Sequence, residues 1–320
     1  MARRALLVVL LALLLAGPAA VVFATRGEDP PPGADVDVAE VKVPGAPTDI
    51  ALAQGRAWVP AAGSGKLTMI EGGASPAVKG AYRAPAGALR VASDGIAVWL
   101  AGAGGDRLTA VDPLFLGRAT QRSIGVGADT VDVAAGRDGV WVSNGAKGTV
   151  TRIDPIAGRR VGEPIRTGRF PTALAVGERD VWVVNSGDGT LARIDPREHL
   201  VAGARVPVGR DPQDVAIGFG TVWVANRGDG TLSRIEERTG RPQGEVRLGG
   251  APTALAIASD AVIALDAEGG KVVRLDARTR RVTDVVRVGG YPTAIAIGDD
   301  PALWTVDARR GIVTRVSRAQ

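Results

Sequence analysis

VWVVNSGDGTLARIDP occupies residues 181–196, and VWVANRGDGTLSRIEE occupies residues 222–237, forty-one positions later. Within each copy a run of apolar and β-branched residues precedes a Gly-Asp-Gly turn, and a second short run follows it. Glycine accepts positive φ, so this pattern predicts a tight β-hairpin. In the first copy Asp195-Pro196 stops the second run, because proline cannot donate to a ladder.

Tryptophan carries the same period across the chain. All six tryptophans (Trp58, Trp99, Trp141, Trp182, Trp223 and Trp304) are spaced by 41, 42, 41, 41 and 81 residues. The last step is two periods, and Ile263 fills the skipped place. A repeat of this length matches a four-stranded propeller blade. The flanking text recurs too, as FPTALAVGERDVWVVNSGDGTLARIDP at 170–196, DPQDVAIGFGTVWVANRGDGTLSRIEE at 211–237, APTALAIASDAVIALDAEGGKVVRLDA at 251–277 and APTDIALAQGRAWVPAAGSGKLTMIEG at 46–72. In the fourth unit the strands are expected at 172–176, 181–185, 190–195 and 201–208.

The seventh unit reaches its third strand near residue 316, where the chain has almost ended. A spare strand lies before the first unit, at 36–43, and it is a fourth strand in type: VKVPGAPT at 41–48 parallels VRVGGYPT at 286–293. The expected fold is therefore all-β, a seven-bladed propeller of four-stranded antiparallel blades over residues 36–320. The N-terminal strand completes the last blade and leaves no open sheet.

Residues 5–25 are uncharged and follow the basic pair Arg3-Arg4. This is the layout of a signal peptide or signal-anchor helix (1–25), followed by a flexible Pro-rich linker (26–35). It implies an extracytoplasmic body, secreted or held to the membrane by the N-terminal segment. Cysteine is absent, so disulfides and Cys-ligated metals are excluded. The net charge of +5 (39 basic, 34 acidic) falls to +3 without Arg3 and Arg4, a poor basis for nucleic-acid binding.

The repeats resemble the YncE-like (YVTN-type) propellers, on VWVVNSGDGTLARID (181–195), VWVANRGDGTLSRIE (222–236) and weaker copies VWVSNGAKGTVTRID (140–154) and PTAIAIGDDPALWTVD (292–307). That resemblance extends over residues 34–317 and implies a seven-bladed, often exported fold that hosts unrelated activities. The repeats are also similar to those of virginiamycin B lyase, and the architecture to propeller lactonases. Such a lyase is expected to use a His base near a metal. This chain has one histidine, His199, placed after Pro196 at the start of a fourth strand.

Propellers commonly bind on the face made by the connections from outer to next inner strand and by the turns between strands two and three. On that face the sequence offers Lys147, Arg169, Phe170, Arg210, Asp211, Asn226 and Arg227 as a ligand site. The cations would receive a carboxylate, a phosphate or an acidic glycan; the alternative is ordinary solvated loop charge. Asp49, Asp132 and Asp214 recur at one repeat position in blades one, three and five. They would either converge on a hard cation or accept backbone hydrogen bonds at their strand starts, and the second reading is preferred.

Asn144, Asn185 and Asn226 end strand two, where an Asx role in the turn is expected. Arg152, Arg193, Arg234, Arg274 and Arg315 recur in strand three as structural arginines packing between blades. No nucleophile elbow, P-loop or zinc motif is present. The expectation is a monomeric binding module for a protein, peptide or anionic ligand, with no catalytic residues and no metal or other cofactor. The competing reading is a metal-dependent lyase or hydrolase.

Overall fold

The computed structural model describes residues 36–73, 75–85, 87–102, 105–113, 122–288, 290–298 and 302–318. Their strands form seven antiparallel sheets arranged as a seven-bladed propeller. Blade five is representative, with strands Pro212–Gly218, Thr221–Asn226, Thr231–Glu236 and Pro242–Arg247 running from the axis outward.

Burial explains this order. The second strand of blade five is buried on both faces, while the outer strand is largely exposed. A strand sandwiched between neighbouring blades reads as a continuous apolar run, which is how VWVAN reads.

The ring closes as the repeat count requires. Val36–Lys42 pairs antiparallel with Ile312–Arg318, from Val36 opposite Arg318 to Lys42 opposite Ile312. It is the outer strand of the sheet that also holds Pro292–Ile297 and Leu303–Asp307. Val43 is fully buried and its N–H donates to the Gly311 carbonyl at 2.8 Å.

Each blade wedges a large side chain against the next. Trp58 packs with Val91 and Leu100 of blade two, and Trp182 with Val215 and Val224 of blade five. Ile263 takes the tryptophan place in blade six and meets Ile295 and Leu303 of blade seven. Trp304 then meets Ile50 and Val59 of blade one. The core is thus a closed series of inter-blade clusters rather than one central mass.

The strand-three arginines complete the wedges. The guanidinium carbons of Arg152, Arg193, Arg234 and Arg315 lie 5.2–5.8 Å from the ring centroids of Trp141, Trp182, Trp223 and Trp304. Two of them also reach the following blade: Arg152 donates to the Pro196 carbonyl and Arg193 to the Arg238 carbonyl. Stacking uses the flat cation against the ring face while its donors remain free to tether a neighbour.

Blade four departs from the expected continuous fourth strand at 201–208. Its outer edge is split into Leu200–Val201 and Val206–Pro207, both paired with Thr190–Asp195. Gly203, at φ 74, lies in the intervening loop. A left-handed residue turns the chain off the ladder, and Pro207 supplies no donor when pairing resumes.

Residues 1–35, where the export segment and linker are expected, lie outside the described residues. Among the described residues no helix is long and apolar enough to cross a membrane.

Candidate functional site

Inner strands begin on one face of the ring, around a central depression of about 800 Å³. The turns between strands two and three rise beside it, contributing Gly145, Ala146 and Arg227. Because every blade presents the same two segments here, residues far apart in sequence meet at the axis.

Four charged residues of the lining come from one repeat position. Asp49, Arg90, Asp132 and Asp214 occupy it in blades one, two, three and five, where blade four has Ala173. The aspartates act first as staples between blades. Asp49 accepts from the Ile50 N–H (2.8 Å) and from Val91 N–H of blade two (3.0 Å). Asp214 accepts from Val215 N–H (2.8 Å) and from Leu255 N–H of blade six (2.7 Å). Asp132 accepts from Leu174 N–H of blade four at 2.9 Å and keeps its other oxygen 3.9 Å from Arg90 Nε.

This arrangement agrees with the backbone-acceptor reading of the three aspartates and adds the inter-blade half of it. Among the described residues no group of three His, Cys, Asp or Glu is placed to hold a metal ion. Both oxygens of Asp49 and of Asp214 accept a backbone N–H, and the three aspartates come from blades one, three and five.

Burial first, and neighbouring charges second, perturb the titration of these groups. Burial pushes the Asp132 carboxyl up to about 7; Arg90 opposes the rise, while Asp214 and Asp49 reinforce it. Burial raises Asp214 to about 6 against the two N–H donors and Arg90. Asp49 is raised as well, chiefly by burial. Burial disfavours the charge on Arg90, but Asp49, Asp132 and Asp214 more than offset it, so its pKa lies above the ordinary value. At this repeat position of the depression Arg90 is thus one fixed cation among three carboxyls, two of which release their protons near neutral pH, while Asp129 and Arg227 add one charge of each sign from the loops.

The rim is aromatic and charged. Phe170 and Tyr291 both line the depression, and Arg309 stacks 4.0 Å from the Tyr291 ring centroid. Phe170 is 50% exposed and has φ 53; Asp211, at the matching place one blade on, has φ 51. Each directly precedes a proline. Bulky residues in the left-handed region are costly, and such outliers concentrate at binding sites.

The residues expected to bind ligand separate into three groups. Phe170 and Arg227 line the central depression, with Arg227 Nε held 2.6 Å from Asp211 Oδ2. Lys147 and Arg169 line a second cavity between blades three and four, to which Phe170 also belongs. Arg210 lines neither and is paired with Asp229 at 2.5 Å.

Asn226 is fully buried. Its Nδ2 donates to the hydroxyls of Thr231 and Ser233. Asn144 and Asn185 likewise look away from their own turns, donating to the Val126 and Thr167 carbonyls of the preceding connection. The expected Asx role is thus replaced by bonds to strand three and to that connection. Glycine makes room for this packing: a Cβ at Gly209 would stand 2.6 Å from Asn226 Cγ.

Sequence reasoning did not single out Arg90. The signal was available, since Arg90 stands where Asp49, Asp132 and Asp214 stand in their own blades. A residue type that differs from the others in a column of carboxylates is what an internal alignment can reveal. His199 lies at the other end of its blade, in the turn between strands three and four, with Nε2 2.8 Å from the Glu163 carbonyl oxygen.

No protein-family model matches the chain, and no curated protein matches it. Solved propellers do. Hydrazine synthase of Kuenenia stuttgartiensis superposes with a TM-score of 0.74 at 15% identity, covering 87% of this chain and 97% of that one. Virginiamycin B lyase from Staphylococcus aureus gives 0.74 at 12% identity, with 88% and 99% covered. A catalytically inactive histidine-to-alanine variant of that lyase, with quinupristin, gives 0.71 at 14% identity, with 88% and 99% covered. The WD40 propeller domain of Doa1 gives 0.70 at 12% identity, with 90% and 98% covered. At these identities the likeness is one of fold.

Proposed function

We propose that this chain is an extracytoplasmic binding propeller whose ligand sits on the loop face over blades three to five and projects into the central depression. The observation that carries the reading is the composition of that depression. Arg90 stands among three carboxyls on rigid inner strands, below a rim of Phe170, Tyr291 and Arg227. A concave site with fixed polar groups and exposed aromatic surface is suited to recognition. The basic N-terminal pair and apolar stretch support an extracytoplasmic location.

The test is a glycan and peptide array probed with the full chain, repeated with Arg227→Ala and Phe170→Ala. Hits that both substitutions abolish uphold the reading. Hits indifferent to both would place the ligand elsewhere.

A second reading has one observation in its favour. Asp132 sits near neutral beside Arg90, the condition in which a carboxyl exchanges protons efficiently. In this reading the protein is a lyase or hydrolase of the propeller type in which Asp132, rather than a histidine, moves the proton. The single histidine is distant from the axis, which sets this chain apart from a histidine-dependent lyase. Turnover of any array hit that rises with pH through 7 and vanishes in Asp132→Asn would establish it.

A further inference from the structure

A second cavity of about 830 Å³ opens between blades three and four and shares Gly145, Ala146 and Phe170 with the central depression. Its charged lining is entirely cationic: Lys147 from the blade-three turn, Arg166 from the end of the blade-three outer strand, Arg169 from the connection between the blades, and Arg205 from the split outer edge of blade four. No carboxylate is among its lining residues. The nearest acid in the bonding network is Asp188, which accepts from the Arg169 N–H and the Thr190 hydroxyl and stands 3.7 Å from Arg205.

The split edge has a consequence for charge. A continuous outer strand would keep residues 202–205 in the ladder. The loop instead brings Arg205 to the groove, where its Nη1 donates to the Thr167 carbonyl at 3.2 Å. The Thr167 side-chain hydroxyl is buried with no hydrogen-bond partner, and its residue forms part of the groove wall.

Volume decides the size of the ligand. A water occupies about 30 Å³ of liquid, so a single oxyanion would fill only a small part of 830 Å³. Arg205 is balanced by Asp188, and the three further cations, Lys147, Arg166 and Arg169, favour several anionic groups at once. Arginine forks suit sulfate, phosphate and carboxylate alike.

We infer that this groove binds a short chain of repeated anionic groups, running from the blade-four edge toward Phe170 and the central depression. The inference rests on the loop-face reading above and assigns it a ligand class. Arg166 and Arg205 are the residues it adds to the site.

The experiment is calorimetric titration of the full chain with heparin tetrasaccharide, tripolyphosphate and inorganic phosphate. The expected result is that one of the two chain anions binds at least about tenfold more tightly than inorganic phosphate. Which one binds identifies a sulfated sugar or a polyphosphate as the source. Lys147→Glu with Arg166→Glu should weaken that binding about tenfold or more, as reversal of two exposed charges implies; Lys147→Gln with Arg166→Gln should weaken it less. Both side chains are exposed, and among the described residues neither holds a side-chain hydrogen bond or ion pair whose loss would unfold the blade. Arg227→Ala should weaken the binding as well, because the loop-face reading places Arg227 at the end of the same ligand that reaches the central depression.

Absence of chain-anion binding, or equal binding by the double variants, overturns the inference. Binding lost in Arg227→Ala but kept in the double variants sinks the groove and leaves the loop-face reading standing. Binding indifferent to all of these variants removes both.

Discussion

Replacing Asp132 by asparagine isolates the electrostatics of the central depression. In the fold this carboxyl releases its proton at about 7, against 3.8 for an ordinary aspartate. The folded state therefore holds a proton that the unfolded chain gives up. Stability from this group is fully present below about pH 4 and is lost as pH rises through 7. At about 1.4 kcal/mol per pH unit, the ionised form costs the fold up to about 4 kcal/mol above pH 7.

Asparagine resembles the protonated acid and can still accept the Leu174 N–H through its carbonyl. Asp132→Asn should therefore gain on the wild type as pH rises, by between about 1.5 and 3 kcal/mol from pH 4.5 to 8.5. The lower figure applies where Asp214 takes up part of the proton binding. Urea denaturation of both proteins across that range measures it. A difference that stays constant within about 0.5 kcal/mol would mean that Asp132 titrates as an exposed acid and that the packed charge cluster is wrongly described.

Three further outcomes follow from the fold and its strain. Val43→Ala, at a fully buried position beside the closing strand, should cost about 2 kcal/mol in denaturant unfolding; no loss would show that closure contributes nothing. Gly209→Ala should destabilise by about 1–3 kcal/mol, because the new methyl meets Asn226, and the thermal midpoint reports it. Phe170→Gly should leave stability within about 1 kcal/mol of the wild type, since relief of the left-handed backbone offsets lost packing. The same substitution should remove ligand binding on the array, and retention of binding would separate the strained aromatic from the site.

Much of the architecture was legible in the chain. Six tryptophans in register, with Ile263 in the skipped place, determine seven units. The orphan strand before the first unit determines closure, because a sheet lacking its outer strand and a strand lacking a sheet satisfy each other. Alternation and turn chemistry are local properties, so they survive in one dimension.

What only the tertiary structure decided is where charges from different units end up. Lys147, Arg169, Arg210 and Arg227 read as one patch along the repeat, yet Arg227 faces the axis, Lys147 and Arg169 face an inter-blade groove, and Arg210 closes on Asp229. Arg205 entered the groove because blade four splits its outer edge, a departure from the repeat that periodicity cannot express. Arg90 met the three aspartates because ring closure brings one strand position from every blade to a common axis. A period specifies which face a side chain leaves from; its distance to a charge in another blade depends on the radius and closure of the whole ring.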